Sequence, residues 1–372
     1  MTIKQQIRNQ KIIKEDPLLW ISFFLITGFG LIILYSASFH FGEKVFNNPF
    51  YFVKKQALHG FMGLILLFIF RFIPYFYLKK LAYPGILLSI CLLIAIFVTP
   101  FGHKVGGAYR WLKFPFFSFQ PAVFSFYTII LYLAHTISKH EDEMDKFFSG
   151  IFPHFILFII FASLLYNQPD FGSIIIIGAL IWIMIFAGGA KIKQMLLIAG
   201  TGFISGFFLM IQRDYRVERL ISYLNPWEYS SSFSYQTTMS LKAFINGGFF
   251  GKGLGNGILK LEYLPESHTD FIFSIIGEET GFLGVFMITG LFMAILIRGF
   301  KISENAPDKF GSLLALGLTS IIGIHIIINM GVTLSLLPPK GLPLPFISYG
   351  GTFLIMNMAG IGILLNIKAN SK

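Results

Sequence analysis

Charge is scarce in this sequence. Only 13% of its 372 residues are Asp, Glu, Lys or Arg, while 55% are hydrophobic and the mean hydropathy is +0.72. Ordinary soluble domains carry about 25% charged residues. A soluble domain of this composition could not solvate its surface, so the class is excluded and a membrane protein is indicated. Acids are scarcer than bases, 18 against 29. That excess would suit a nucleic-acid partner, but Lys and Arg gather at the edges of apolar runs, the pattern left by retention of basic residues on the cytoplasmic side. No nucleic-acid partner is expected. Cysteine is limited to Cys91, inside an apolar run, which excludes an intrachain disulfide. Clusters of His, Cys and carboxylates at metal-ligand spacing are missing too.

What the sequence has in quantity is apolar runs of a length suited to a hydrocarbon layer of about 30 Å. Residues 1–372 are read as one all-α polytopic membrane domain. Ten spans are expected near residues 18–38, 56–70, 81–100, 123–135, 152–166, 171–188, 195–211, 270–297, 313–337 and 344–367. The first run is long enough to span and lacks a small-residue cleavage site, so it is read as a span rather than a cleaved signal. Asp16 before Pro17 suits a helix start. Lys and Arg in the short connections favour cytoplasmic termini, with residues 1–17 as a cytoplasmic tail and 213–269 as a long extracytoplasmic connection. That connection holds Tyr223, Trp227, Phe233, Tyr235, Phe244 and Phe249, which argues against disorder. Residues 235–245 could form an amphipathic helix on the outer membrane face.

Few acids lie in or beside the spans: Asp170, Asp270, Glu278 and Glu279. A carboxylate in hydrocarbon costs several kcal/mol, so each is a functional candidate whose partner must be found. Asp270 opens the eighth span directly after the long connection. His268-Thr269-Asp270 reads either as a helix N-cap or as the site of a general base at the membrane-water boundary. Such a base could take a proton from a sugar hydroxyl while a lipid tail stays in the bilayer. Glu278 and Glu279 read equally as a proton or cation site and as hydrogen-bonding groups that hold helices together. Asp170, in Gln168-Pro169-Asp170, reads as a cap of the sixth span.

The glycine cluster Gly247-Gly248 and Gly251 to Gly257 is not a nucleotide loop, since Gly253 follows Lys252 where Ser or Thr is required. It is a flexible turn or a cradle of backbone amides for a pyrophosphate. Outer cations Lys104, Arg110, Arg213, Arg216 and Lys340 could neutralise a diphosphate if they converge, or snorkel to lipid phosphates. His325, inside the ninth span, reads as a satisfied core residue.

Several stretches resemble the shape, elongation, division and sporulation family that includes RodA, FtsW and SpoVE. They are GKGLGN (Gly251 to Asn256), KLEYLPESHTDFIF (Lys260 to Phe273), GEETG (Gly277 to Gly281) and KGLPLPFISYGG (Lys340 to Gly351). YSAS (Tyr35 to Ser38), GAYRW (Gly107 to Trp111), QPDFG (Gln168 to Gly172) and NPWE (Asn225 to Glu228) are similar more weakly, and KLEYLPE with HTDFIF looks more like the FtsW division branch. The resemblance implies a ten-span peptidoglycan glycosyltransferase that polymerises lipid II on the outer face of the cytoplasmic membrane. It implies Asp270 as the general base on the acceptor 4-hydroxyl. On the family's pattern Arg110 and Lys340 belong to the outer-face surface, with Glu262 in the long connection; with the other outer cations, the candidate substrate-binding set is Lys104, Arg110, Arg213, Arg216, Glu262, His268, Lys340 and Ser348. Implied partners are a class B penicillin-binding transpeptidase and other divisome membrane proteins; no cofactor is implied, and a divalent cation is left open. One departure stands out. After Gln120-Pro121-Ala122 the family usually has Glu and, three positions later, Lys; here Val123 and Phe126 replace both. Two other readings stay open: a lipid II flippase and a non-catalytic divisome scaffold.

Overall fold

The computed structural model describes residues 15–105, 108–115, 117–211, 218, 223, 228, 234–261 and 263–371. Its first helix begins where the sequence provides for it. Asp16 accepts a hydrogen bond from the Leu19 amide at 3.1 Å and Pro17 takes the first helical position, where a missing N–H costs nothing. Helix α1 (Pro17–Phe46) ends at Asn47 in the left-handed conformation. Then come α2 (Tyr51–Phe72), a 3-10 turn (Tyr75–Leu81) leading into α3 (Ala82–Val98), α4 (Pro121–Lys139), α5 (Phe152–Asn167), α6 (Phe171–Ala187) and α7 (Ile192–Ile211). Helices α8 (Tyr235–Gly247), α9 (Ile272–Glu304), α10 (Lys309–Thr333) and α11 (Gly351–Ala369) complete the order.

Among the described residues, eight helices are long and apolar enough to cross a membrane, and α6 is a shorter apolar helix. Helix α7 occupies the seventh expected run, so each of the ten runs coincides with a helix. Two boundaries need correction. Helix α9, the eighth expected span, starts at Ile272 rather than Asp270. Helix α11, the tenth expected span, starts at Gly351, because Pro338, Pro339, Pro343 and Pro345 deny residues 334–350 the amides that a helix needs.

Helices α4, α10 and α11 form the interior, and α2 lies along α11 so closely that a side chain on Gly63 would strike Met358. Small residues are what lets helices approach where water provides no hydrophobic drive. Outward faces carry Ile65, Phe72, Leu87 and Val98. One end of the bundle is tied by ion pairs: Arg298 grips the buried Asp16 at 2.7 to 3.0 Å, Arg71 meets Glu15 at 2.6 Å and Lys79 meets Asp308 at 3.3 Å.

The other end is irregular. A small antiparallel sheet of β1 (Gly102–Val105), β2 (Ala108–Lys113) and β3 (Ser118–Phe119), in that order, joins α3 to α4. Helix α8 forms where an amphipathic helix was expected, yet it buries Thr237, Ser240, Ala243 and Gly247 and exposes Ile245. Its small polar face is its packing face: Ser240 is hydrogen-bonded to Ser274 of α9 and donates to the Thr333 carbonyl of α10, both at 2.5 Å.

Candidate active site

Asp270 sits on a turn that sequence-local bonds close. Glu266 adopts a left-handed conformation, and its carbonyl accepts from the amides of Thr269 and Phe271, both at 3.1 Å. The N-cap of α9 is Phe271, with no side-chain cap bond, so the Asp270 carboxylate is not used as a cap. Among the described residues no hydrogen bond engages it.

The Lys340 to Gly350 segment is fastened to this turn. Ser348 donates its hydroxyl to the Thr269 carbonyl at 2.5 Å and accepts from the Leu344 amide at 2.8 Å, and the Tyr349 amide donates to the His268 carbonyl at 3.0 Å. Asn329 of α10 spans both segments, donating to the carbonyls of Asp270 at 2.8 Å and Leu342 at 2.7 Å. Gln56 of α2 donates to the Ser348 carbonyl and accepts from the Gly350 amide. Phe346, at φ 65°, makes the sharp bend that returns the chain to α11. Gly341 lies against the Asp270 side chain, leaving no room for a Cβ.

Two cations converge on the carboxylate. Arg110, on β2, donates to the Pro169 carbonyl at 2.8 Å; Lys340 lies 3.8 Å from Asp170. Asp170 in turn caps α6, accepting from the Ser173 amide at 3.4 Å and hydroxyl at 2.6 Å. The Pro169-Asp170 turn thus anchors both cations beside Asp270. Burial pushes the Asp270 carboxyl up, the Glu266 charge adds to this, and Arg110 and Lys340 oppose it, leaving the group raised to about 7. The Arg110 Nε atom is buried with no hydrogen-bond partner among the described residues.

The other expected site residues divide. His268 is enclosed by Phe52, Phe41 and Tyr349, with ring centroids 4.6, 5.3 and 6.2 Å away, and burial lowers its pKa against the pull of Glu266. It faces the site through its backbone carbonyl, which accepts from the Tyr349 amide. Ser348 is buried and spends its hydroxyl on the chain. Lys104 is exposed on β1, 5.8 Å from the Tyr109 ring, and no contact joins it to Asp270 among the described residues. Arg213, Arg216 and Glu262 lie outside the described residues. Gln56, Asn329 and Gly341 escaped the sequence reading; polar side chains inside apolar runs were the signal for the first two.

Glu278 and Glu279 are fully buried and hydrogen-bonded to the segment 255–260. His325 donates its Nδ1–H to the Ile321 carbonyl, 2.8 Å away, as a core residue does. Among the described residues no group of three His, Cys, Asp or Glu could hold a metal ion. An apolar groove of about 300 Å³ runs between α1 and α2 beneath Phe346 and Ile347, lined also by Phe23, Phe61 and Leu64.

A family model described as cell cycle protein, covering FtsW, RodA and SpoVE, matches residues 16–372. The chain is 36% identical over 372 residues to the probable peptidoglycan glycosyltransferase FtsW of Geobacter metallireducens, covering 100% of this chain and 99% of that one. It is 38% identical to the stage V sporulation protein E of Bacillus subtilis, covering 96% and 98%. Among solved structures, a chain from work on structural coordination of polymerization and crosslinking by a peptidoglycan synthase complex shares its fold. The TM-score is 0.79 at 24% identity, covering 96% of this chain and 99% of that one.

Proposed function

The chain belongs to the FtsW, RodA and SpoVE family of cell cycle proteins, and from that membership we propose that it is a multi-pass membrane peptidoglycan glycosyltransferase of cell division. It polymerises lipid II at the outer face of the cytoplasmic membrane, with both termini in the cytoplasm. One observation carries the reading. A carboxylate that no hydrogen bond engages among the described residues stands at the head of a membrane helix, flanked by Arg110 and Lys340 and fitted over Gly341.

Asp270 takes the proton from the acceptor sugar's 4-hydroxyl. The oxygen attacks the anomeric carbon of the donor as the bond to diphosphate breaks, and undecaprenyl diphosphate departs with the electron pair, inverting the centre. A carboxyl raised to about 7 suits this role, because a base works best when its pKa is near the working pH. The Arg110 Nε–H and the Lys340 ammonium meet the charge that grows on the diphosphate. The groove between α1 and α2 receives the isoprenoid tail, so the sugars reach Asp270 without the lipid leaving the bilayer.

A class B penicillin-binding transpeptidase is the partner, with other divisome membrane proteins around it. Support comes from the similar chain above, solved in a complex that couples polymerization to crosslinking. A flippase would need charged groups distributed across the membrane, whereas the buried pair Glu278 and Glu279 is consumed in holding the chain. The test is glycan-strand synthesis from purified lipid II: Asp270→Asn abolishes it while membrane insertion persists, and undiminished polymer overturns the reading.

A further inference from the structure

Four motifs of the sequence play no part in that mechanism: YSAS, GKGLGN, the lysine that opens KLEYLPE, and GEETG. They meet in one buried network. Helix α9 breaks at Gly281, where φ is 64° and ψ −165°, so residues 272–280 form a half-helix of their own. Almost every residue of that half-helix is buried, Glu278 and Glu279 included. At its far end the carbonyls of Glu278 and Glu279 accept from the amides of Lys252 and Gly253, both at 3.0 Å, while Phe282 and Leu283 donate to the carbonyls of Gly248 and Phe249. The glycine segment thereby replaces the helical bonds lost at the break.

The side chains finish the closure. Glu279 accepts from Ser36 and from the Lys260 ammonium, each at 2.6 Å, and from the Gly255 amide at 3.1 Å. Lys260 also donates to the Ser36 hydroxyl at 2.6 Å and the Gly255 carbonyl at 2.7 Å. Glu278 accepts from the amides of Ile258 and Leu259, both at 3.1 Å, with Lys252 3.7 Å away. A Cβ on Gly247 would strike the Gly277 carbonyl, and one on Gly257 would press on the carboxylates of Glu278 and Glu279.

A buried ion pair contributes little stability over an apolar replacement of its volume, yet is costly to halve. What this one supplies is direction. Glu279 lies seven residues, about 10 Å of helical rise, beyond Ile272, where the half-helix begins two residues after Asp270. A rigid half-helix clamped at one end places the other.

Resting on the reading of Asp270 as the base, we infer that Glu279 and Lys260 are positioning residues. Their pair locks the segment 251–260 across the break at Gly281 and so fixes Asp270 against Arg110 and Lys340. The experiment uses the full chain in nanodiscs with its transpeptidase, comparing wild type, Lys260→Met, Lys260→Met/Glu279→Gln, Lys260→Arg and Asp270→Asn. The readouts are kcat, KM for lipid II and thermal midpoint. Lys260→Met loses both midpoint and rate. The double variant, free of the orphaned charge, regains the midpoint while its kcat stays about 10- to 100-fold below wild type at near-constant KM. Recovery of kcat along with the midpoint overturns the inference, since the pair would then serve stability alone. Lys260→Arg keeps the charge and decides the matter if the double variant does not assemble: lowered kcat upholds positioning, wild-type kcat overturns it. Polymer from Asp270→Asn would instead overturn the base assignment itself.

Discussion

Gly341 lies directly against Asp270: a methyl group on its α-carbon would collide with the carboxylate Oδ2 atom. Gly341→Ala therefore leaves the helices intact and displaces the base. The expected result is a folded protein whose kcat for lipid II polymerisation falls by about 100-fold. A wild-type rate from Gly341→Ala would show that the contact does not set the position of the carboxylate.

The pH dependence of kcat/KM follows from the same group. The active form is the ionised base, so the rate rises with pH through about 7 and levels off above it. Glu266 raises the Asp270 pKa and Lys340 lowers it. Glu266→Gln should thus move the acid limb to lower pH and Lys340→Met to higher pH; movement in the opposite sense would contradict the assignment.

Stability should show the mirror image. The folded pKa of Asp270, about 7, exceeds its ordinary 3.8. As pH rises between these values the unfolded chain ionises first, so stability is lost across that window. Asn carries no such penalty. Asp270→Asn should be more stable than wild type at pH 8, by on the order of 1 kcal/mol after solvent screening, and equal to it near pH 4. Chemical denaturation of the two proteins across that range is the measurement.

Val123 and Phe126, where the family usually has Glu and Lys, are 5% and 2% exposed, with Phe126 5.8 Å from the His325 ring. Glu placed alone at 123 would be a buried, unpaired charge, costing roughly 3 kcal/mol or more. Val123→Glu should lower the thermal midpoint strongly, and Val123→Glu/Phe126→Lys, with its charges three residues apart on one helix face, much less. Equal midpoints would exclude an ion-pair role for these positions.

The helices were legible because the bilayer demands runs of about 20 apolar residues, and that demand writes itself into composition. Residues 334–350 misled for the same reason. Leu342, Leu344, Phe346 and Ile347 are buried in irregular chain, and hydropathy alone does not separate a buried loop from a span; the four prolines did carry the distinction. Asp270 stood out in the sequence as one of four acids in or beside the spans. The pairing of Arg110 with Pro169 and of Lys340 with Asp170 was not, because it joins segments that only the folded bundle brings together. Ser348 was singled out for its motif, yet it works as a staple to Thr269, a role that depends on a partner distant in the chain.

The most direct measurement is polymerisation of purified lipid II by wild type and Asp270→Asn, each with its transpeptidase, in membranes where insertion of both is verified. Wild type should yield long glycan strands and Asp270→Asn none. Strands of ordinary length and rate from Asp270→Asn would contradict the account, because the base would then have to be another group.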